Sequence, residues 1–187
     1  MKIVFGLSLI LLLLTSCKSY RLPSTLKQNA LAFELCELYG SDQGLRTKVL
    51  GSKSNQLLPK LDSINFTKFL AFVQKNGMPN ENLLGKDNYA IECVKMAGFS
   101  ILLHNPEKLI RNTAYYNLFF QEVASGRMSA EAFALIIDKY YWARQQNLAY
   151  GSSFGQPCLR DKETVNQRRK LLGLKELEDT EFKECTN

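Results

Sequence analysis

Residues 129–142 read SAEAFALIIDKYYW, and this stretch decides the fold class. Ser129 is of the residue type whose hydroxyl accepts from first-turn amides at a helix start. Phe133, Ile136, Ile137 and Tyr140 then recur at three- and four-residue intervals, which places them on one side of an α-helix. Nothing in the segment alternates with the period of two that a half-buried strand requires.

Working outward, the same pattern repeats. Upstream, Asn105-Pro106 starts a helix, because proline at the first helical position gives up no hydrogen bond; that helix ends near Gly126. Before it, a helix is expected over about 87–103. An earlier one starts near Asp62 or Asn65, carries Phe66, Phe69, Leu70 and Val73, and stops at Asn76-Gly77 ahead of Pro79. Thr25 and Gln28 have capping-box spacing and open a first helix with Leu26, Ala30, Phe33, Leu38, Leu45 and Val49 on its apolar side; Gly40 and Gly44 are candidate interruptions. Downstream, Asp161 opens a short helix that Gly173 closes. With no alternating strand and no internal repeat, the expectation is an all-α protein, a compact multi-helix bundle forming a single domain over 25–187.

The chain begins MKIVFGLSLILLLLTSCKSY. Lys2, an apolar run over 3–14 and small polar residues have the layout of a secretory signal peptide. The run is shorter than the roughly 20 residues that span a hydrocarbon core, so removal is expected rather than retention as a transmembrane helix. Leu14-Thr15-Ser16-Cys17 resembles the lipobox of bacterial lipoproteins. That resemblance implies cleavage after residue 16, a diacylglycerol on the Cys17 sulfur and an acyl chain (palmitate) on the new amine. Several chains at about 0.8 kcal/mol per buried methylene make a lasting membrane anchor. Residues 17–24 then form the lipidated cysteine and its tether. Lys18 and Ser19 follow the cysteine where an Asp would signal inner-membrane retention, so the implied address is the outer membrane of the cell envelope, facing the periplasm.

Of 187 residues, 24 are basic and 18 acidic, a net charge of +6. Loss of 1–16 removes Lys2 and leaves a chain still long enough to bury one proper core. Apart from Arg168-Arg169-Lys170 the basic residues are scattered. No aromatic-basic stripe speaks for nucleic acid, whereas anionic lipid headgroups suit a modest positive excess.

After lipidation Cys36, Cys93, Cys158 and Cys185 remain. An envelope compartment permits disulfides, and four cysteines allow three pairings. Cys36 in FELCEL and Cys93 in IECVKM also suit small core positions. One histidine and dispersed cysteines without a CxxC pair speak against a structural zinc site, and no metal or other cofactor is expected.

Six short stretches occur in order: SDQGLR (41–46), DSIN (62–65), NGMP (76–79), LLG (83–85), AYGSSFG (149–155) and VNQRRKLLGL (165–174). In this order they resemble a bacterial helical family known as a domain of unknown function. Its pattern is Asp-Gln-x-x-Arg, a Gly-Trp-Pro-like turn, a histidine closing a central helix, a helical Asp-Arg pair, a Tyr-Gly-Thr-Gln loop and a late Asn-x-Arg-Arg. The resemblance spans roughly residues 30 to 177. Here Met78 replaces the tryptophan, Lys139 the arginine after Asp138, and Ser152-Ser153 the Thr-Gln. The family implies no established activity. It marks Asp42, Gln43, Arg46, Tyr150, Gly151, Arg168 and Arg169 as candidate binding residues, and His104 and Asp138 as candidate catalytic ones.

The chemistry of these residues can be weighed separately. Asp138 has Ala134, Leu135, Tyr141 and Trp142 as helical neighbours and no local cation, so it needs solvent or a partner from elsewhere. Arg46, His104 and Lys139 are the candidate partners, although Lys139 is adjacent in sequence and points elsewhere. Asp42 and Arg46 sit four apart, as an ion pair on one helix face does. His104 ends a helix, where the macrodipole favours its charged form; it is the one histidine in the chain. The plain alternative for all of them is a structural polar network between helices. GSSFG (151–155) matches G-x-S-x-G, but a nucleophile elbow needs a strand before it and a helix after it. A glycine-rich loop following a helix describes it better. Arg168-Arg169-Lys170 suits phosphate or lipid headgroups, or the solvated face of a short helix.

Two function classes follow. The first is a membrane-tethered binding or interaction module that presents a polar cleft or helical face to an envelope protein. The second is a hydrolase using Asp138 and His104 as acid and base, with Asp42 and Arg46 clamping substrate. Convergence separates them, because an enzyme needs these side chains in one concave site.

Overall fold

The computed structural model describes residues 24–44, 46 and 57–185. The signal segment, Cys17 and the tether up to residue 23 lie outside the described residues, as do Leu45 and Val49. The fold is all-α. The helices are α1 (Ser24–Gly44), α2 (Leu57–Asn76), α3 (Glu81–Leu84), α4 (Lys86–Tyr89), α5 (Glu92–His104), α6 (Pro106–Arg111), α7 (Thr113–Ala124), α8 (Ala130–Trp142) and α9 (Lys162–Leu171). Among the described residues none of these is long and apolar enough to cross a membrane.

Several boundaries differ from the expectation for local reasons. Gly40 does not interrupt α1. The next helix begins at Leu57, with Pro59 in its first turn where a missing amide is harmless. The segment over 87–103 is two helices, parted at Ala90-Ile91. The helix expected from Asn105 to Gly126 is also two. The Asn112 side chain accepts from the amides of Ala114 at 3.0 Å and Tyr115 at 3.3 Å. Those bonds cap a new helix. Ser129 caps α8 as expected, accepting from the Ala132 amide at 3.1 Å.

The core is built from one stripe of each long helix. On α1 the buried stripe is Leu31, Leu35 and Leu38, not the side carrying Leu26 and Phe33, which are 53% and 66% exposed. That second face reads as equally apolar in sequence, but these two large side chains stay in solvent. Helix α1 packs along α5 and α2, and α8 packs on α5, α6 and α7. Phe69, Phe119, Phe133, Ile101 and Ile136 are fully buried. The rings of Phe69 and Phe119 stack at 6.4 Å, and Gly98 gives Phe69 its space: a Cβ there would lie 2.6 Å from the ring.

Two disulfides staple the bundle. Cys36–Cys93 joins α1 to α5 with Cα atoms 4.8 Å apart, and Cys158–Cys185 ties the C-terminal segment back with Cα atoms 5.1 Å apart. Cys158 and Lys183 also form an isolated parallel bridge, the one β-like pairing among the described residues. A third tie is ionic. Buried Glu122 on α7 accepts from Arg127 Nε at 2.6 Å, from Arg127 Nη2 at 2.7 Å and from the Met78 amide at 3.0 Å. Met78, where the family resemblance implies tryptophan, is buried in this joint. At the end of α8 the ring of Trp142 lies 5.1 Å from that of Phe154.

Candidate functional site

The candidate residues assemble into two separate groups. The first lies where α1, α2 and α5 meet. Asp42, on the last turn of α1, is fully buried. Its Oδ2 accepts from His104 Nδ1 at 2.8 Å and from Gln43 Nε2 at 2.7 Å, and its Oδ1 from Arg46 Nη2 at 3.2 Å. A carboxylate only accepts, so the ring nitrogen facing it carries the proton. Arg46 Nη2 also pairs with Asp62 of α2. The side chains of Arg46, His104 and Asp62 are 20%, 17% and 15% exposed, so the group lies just below the surface.

The charges here are mutually supporting. Burial alone raises the Asp42 pKa, but the hydrogen bond and charge of His104 and the charge of Arg46 outweigh it and hold the carboxyl below its ordinary value. Asp62 goes the other way, raised by burial that Arg46 only partly offsets. Lys139 of α8 feels the charges of this group. Burial and the Arg46 charge lower its pKa, against the pull of Asp62 and Asp42. Among the described residues three buried side-chain polar atoms, Arg46 Nε, Asn65 Nδ2 and Ser152 Oγ, have no hydrogen-bond partner, and Arg46 Nε belongs to this group. Asn65 belongs to the same neighbourhood, since its Oδ1 accepts from Ser41 Oγ, next to Asp42.

The second group centres on Asp138, which is fully buried. None of Arg46, His104 or Lys139 is its partner. Its Oδ1 accepts the amides of Ala149 at 2.8 Å and Tyr150 at 2.9 Å, and its Oδ2 that of Ser152 at 2.8 Å. The carboxylate thus folds the loop over 149–152 onto α8. Burial still raises its pKa, with the three amides opposing the rise.

The same loop is held from its other side by Arg169 of α9, whose Nη1 donates to the Tyr150 carbonyl at 2.8 Å and Nε to that of Lys175 at 2.6 Å. Tyr150 itself is buried, its hydroxyl 2.9 Å from that of Tyr116. Burial and that hydroxyl hold its pKa above the ordinary tyrosine value. Gly151 has φ +66, and a Cβ there would meet Leu177 at 2.7 Å and Pro157 at 2.9 Å. Only glycine fits such a backbone in so little space. Arg168 points outward, exposed on α9.

Between this loop, α8 and α9 lies an open cavity of about 370 Å³, lined by Ala132, Leu135, Gly151, Ser152, Ser153 and Arg169 among others. Apolar walls with a few polar groups at the rim are the usual make-up of a small-ligand pocket. Among the described residues no strand precedes Ser153, so the elbow geometry of a serine hydrolase is missing.

Sequence reasoning therefore singles out Asp42, Gln43, Arg46, His104, Asp138, Tyr150, Gly151 and Arg169, but treats them as one constellation and mispairs Asp138; the structure divides them into two groups. It passes over Asp62 and Lys139 as site residues. Asp62 heads the DSIN stretch, which is the available signal. Comparison of the chain with known protein families, with curated proteins and with solved structures finds no match in any of the three.

Proposed function

We propose that this chain is a lipoprotein of the bacterial cell envelope, anchored through Cys17, whose helical domain is a binding module. The observation that carries the reading is the cavity beside the loop over 149–153. Asp138 and Arg169 hold that loop in place, and beside it is an open, mostly apolar recess with Glu131 and Arg169 among its lining. A buried carboxylate that fixes a loop in place suits recognition better than proton transfer. Two disulfides accord with an oxidising compartment. The occupant that suits the recess is an apolar segment of an envelope protein.

A site-specific photo-crosslinker at Ser153 in the full-length protein, in its own membranes, tests this. A discrete protein adduct from position 153, absent when the crosslinker stands at exposed Lys95, supports the module. Identical labelling from both positions, or none, overturns it. The anchor is checked in the same membranes: Cys17→Ser should leave the lipid fraction.

A second reading, a hydrolase, is favoured by the His104–Asp42 pair. Asp42 fixes the imidazole through Nδ1 and leaves Nε2 as the proton acceptor. Asp138 has no place in that chemistry, since its oxygens are engaged by three amides.

A further inference from the structure

We infer that Asp42, Asp62 and His104 form a binding site for a divalent transition-metal ion, with zinc as the fitting class. Three helices each contribute one ligating side chain, and the ligand atoms all lie within 4.8 Å of one another. His104 Nδ1 and Asp42 Oδ2 are 2.8 Å apart. Neighbouring ligands on a tetrahedral ion with bonds of about 2.1 Å lie about 3.4 Å apart, so this pair needs to open by only about 0.6 Å to take one. One imidazole with two carboxylates favours zinc over magnesium or calcium, which take all-oxygen shells. Three protein ligands leave at least one position open for water, as catalytic rather than structural zinc sites do.

Arg46 occupies the place of the cation. One of its nitrogens contacts both carboxylates, as a shared ion would. The fit is incomplete, because its Nε is buried with no acceptor among the described residues. That is a costly state for a guanidinium donor. A divalent ion between the carboxylates releases Arg46, which already reaches solvent, and leaves a site with two negative charges against two positive. Metal and arginine compete for one seat.

Binding also takes the proton off Nδ1, since a ligating nitrogen must be deprotonated. Nδ1–H points at Asp42 in the metal-free protein. When Nδ1 becomes the ligand, that proton leaves it and the ring's remaining proton sits on Nε2.

The test uses the full-length protein in detergent, stripped with a chelator and titrated calorimetrically with zinc chloride. One zinc per chain is expected, with His104→Ala and Asp62→Asn each weakening binding at least tenfold. Arg46→Met, which removes the competing cation and keeps the bulk, should tighten binding several-fold. The single histidine gives an unambiguous second readout, because its ring nitrogen-15 resonances should switch from the Nδ1–H to the Nε2–H pattern on adding zinc. Absence of binding in both the wild type and Arg46→Met overturns the inference. So does zinc uptake that His104→Ala and Asp62→Asn leave unchanged, or an unaltered histidine tautomer.

Discussion

Asp138 accepts the backbone amide of Ala149 at 2.8 Å, so a carboxylate in the middle of α8 dictates the path of a loop eleven residues later. Charge-assisted bonds of this kind are the stronger class. Removing the acceptor leaves three loop amides without partners. Asp138→Ala should therefore cost about 3–5 kcal/mol, and Asp138→Asn, which keeps one acceptor oxygen, about half of that. Urea unfolding of both variants checks this. A loss in Asp138→Ala below about 0.5 kcal/mol would mean that the loop holds itself.

Asp138 and Glu122 should give opposite pH signatures. The Arg127 hydrogen bond, against burial, lowers the Glu122 pKa below its ordinary 4.5. Its contribution to stability is full above that value and is lost as the pH falls through the depressed one. Burial raises Asp138 above 3.8. Its contribution is therefore full at lower pH and is lost as the pH rises through the elevated value. Unfolding free energies measured at a series of pH values should show Glu122→Gln flattening the acid limb. Asp138→Asn should instead flatten the decline on the other side of the ordinary carboxylate range.

The two staples should differ in weight. The bridged cysteines are 57 residues apart in one disulfide and 27 residues apart in the other. Closing the longer loop removes chain entropy worth about 4 kcal/mol, and the shorter about 3.5 kcal/mol, in the loop-closure account. Reduction should lower the melting temperature. The Cys36→Ala/Cys93→Ala pair should lose at least as much stability as Cys158→Ala/Cys185→Ala. The reverse order would show that the C-terminal segment carries more of the fold than the α1–α5 seam.

Gly98→Ala sets two effects against each other. Alanine gains about 1 kcal/mol from helix propensity. Its methyl would sit 2.6 Å from the Phe69 ring, which is fully buried and stacked on Phe119. Overpacking of a rigid aromatic costs about 1–3 kcal/mol, so net destabilisation is expected. Thermal unfolding decides it, and a stabilised variant would show that the aromatic stack can slide.

Helix presence is readable wherever a cap and a periodic stripe coincide, as at Ser129 and at Asn105-Pro106. Breaks within apolar stretches are not. Asn112 looks like any polar residue on a helix until its side chain is seen to take the amides of Ala114 and Tyr115. The apolar side of α1 is only partly right, with Leu38 buried but Leu26 and Phe33 exposed, because burial depends on which neighbour arrives and periodicity leaves that open. The site shows the same division. The Asp42–Arg46 pair is local, four residues apart on one helix, and is legible. The 62-residue separation of Asp42 from His104 and the backbone partners of Asp138 are tertiary facts. No side-chain pattern in sequence announces that a carboxylate will bond amides.

The contact between Trp142 and Phe154 has a spectroscopic consequence. The chain holds a single tryptophan, half exposed and seated against a residue of the loop whose earlier part Asp138 and Arg169 hold in place. Its emission is therefore a built-in optical gauge of that loop's posture, readable without a label.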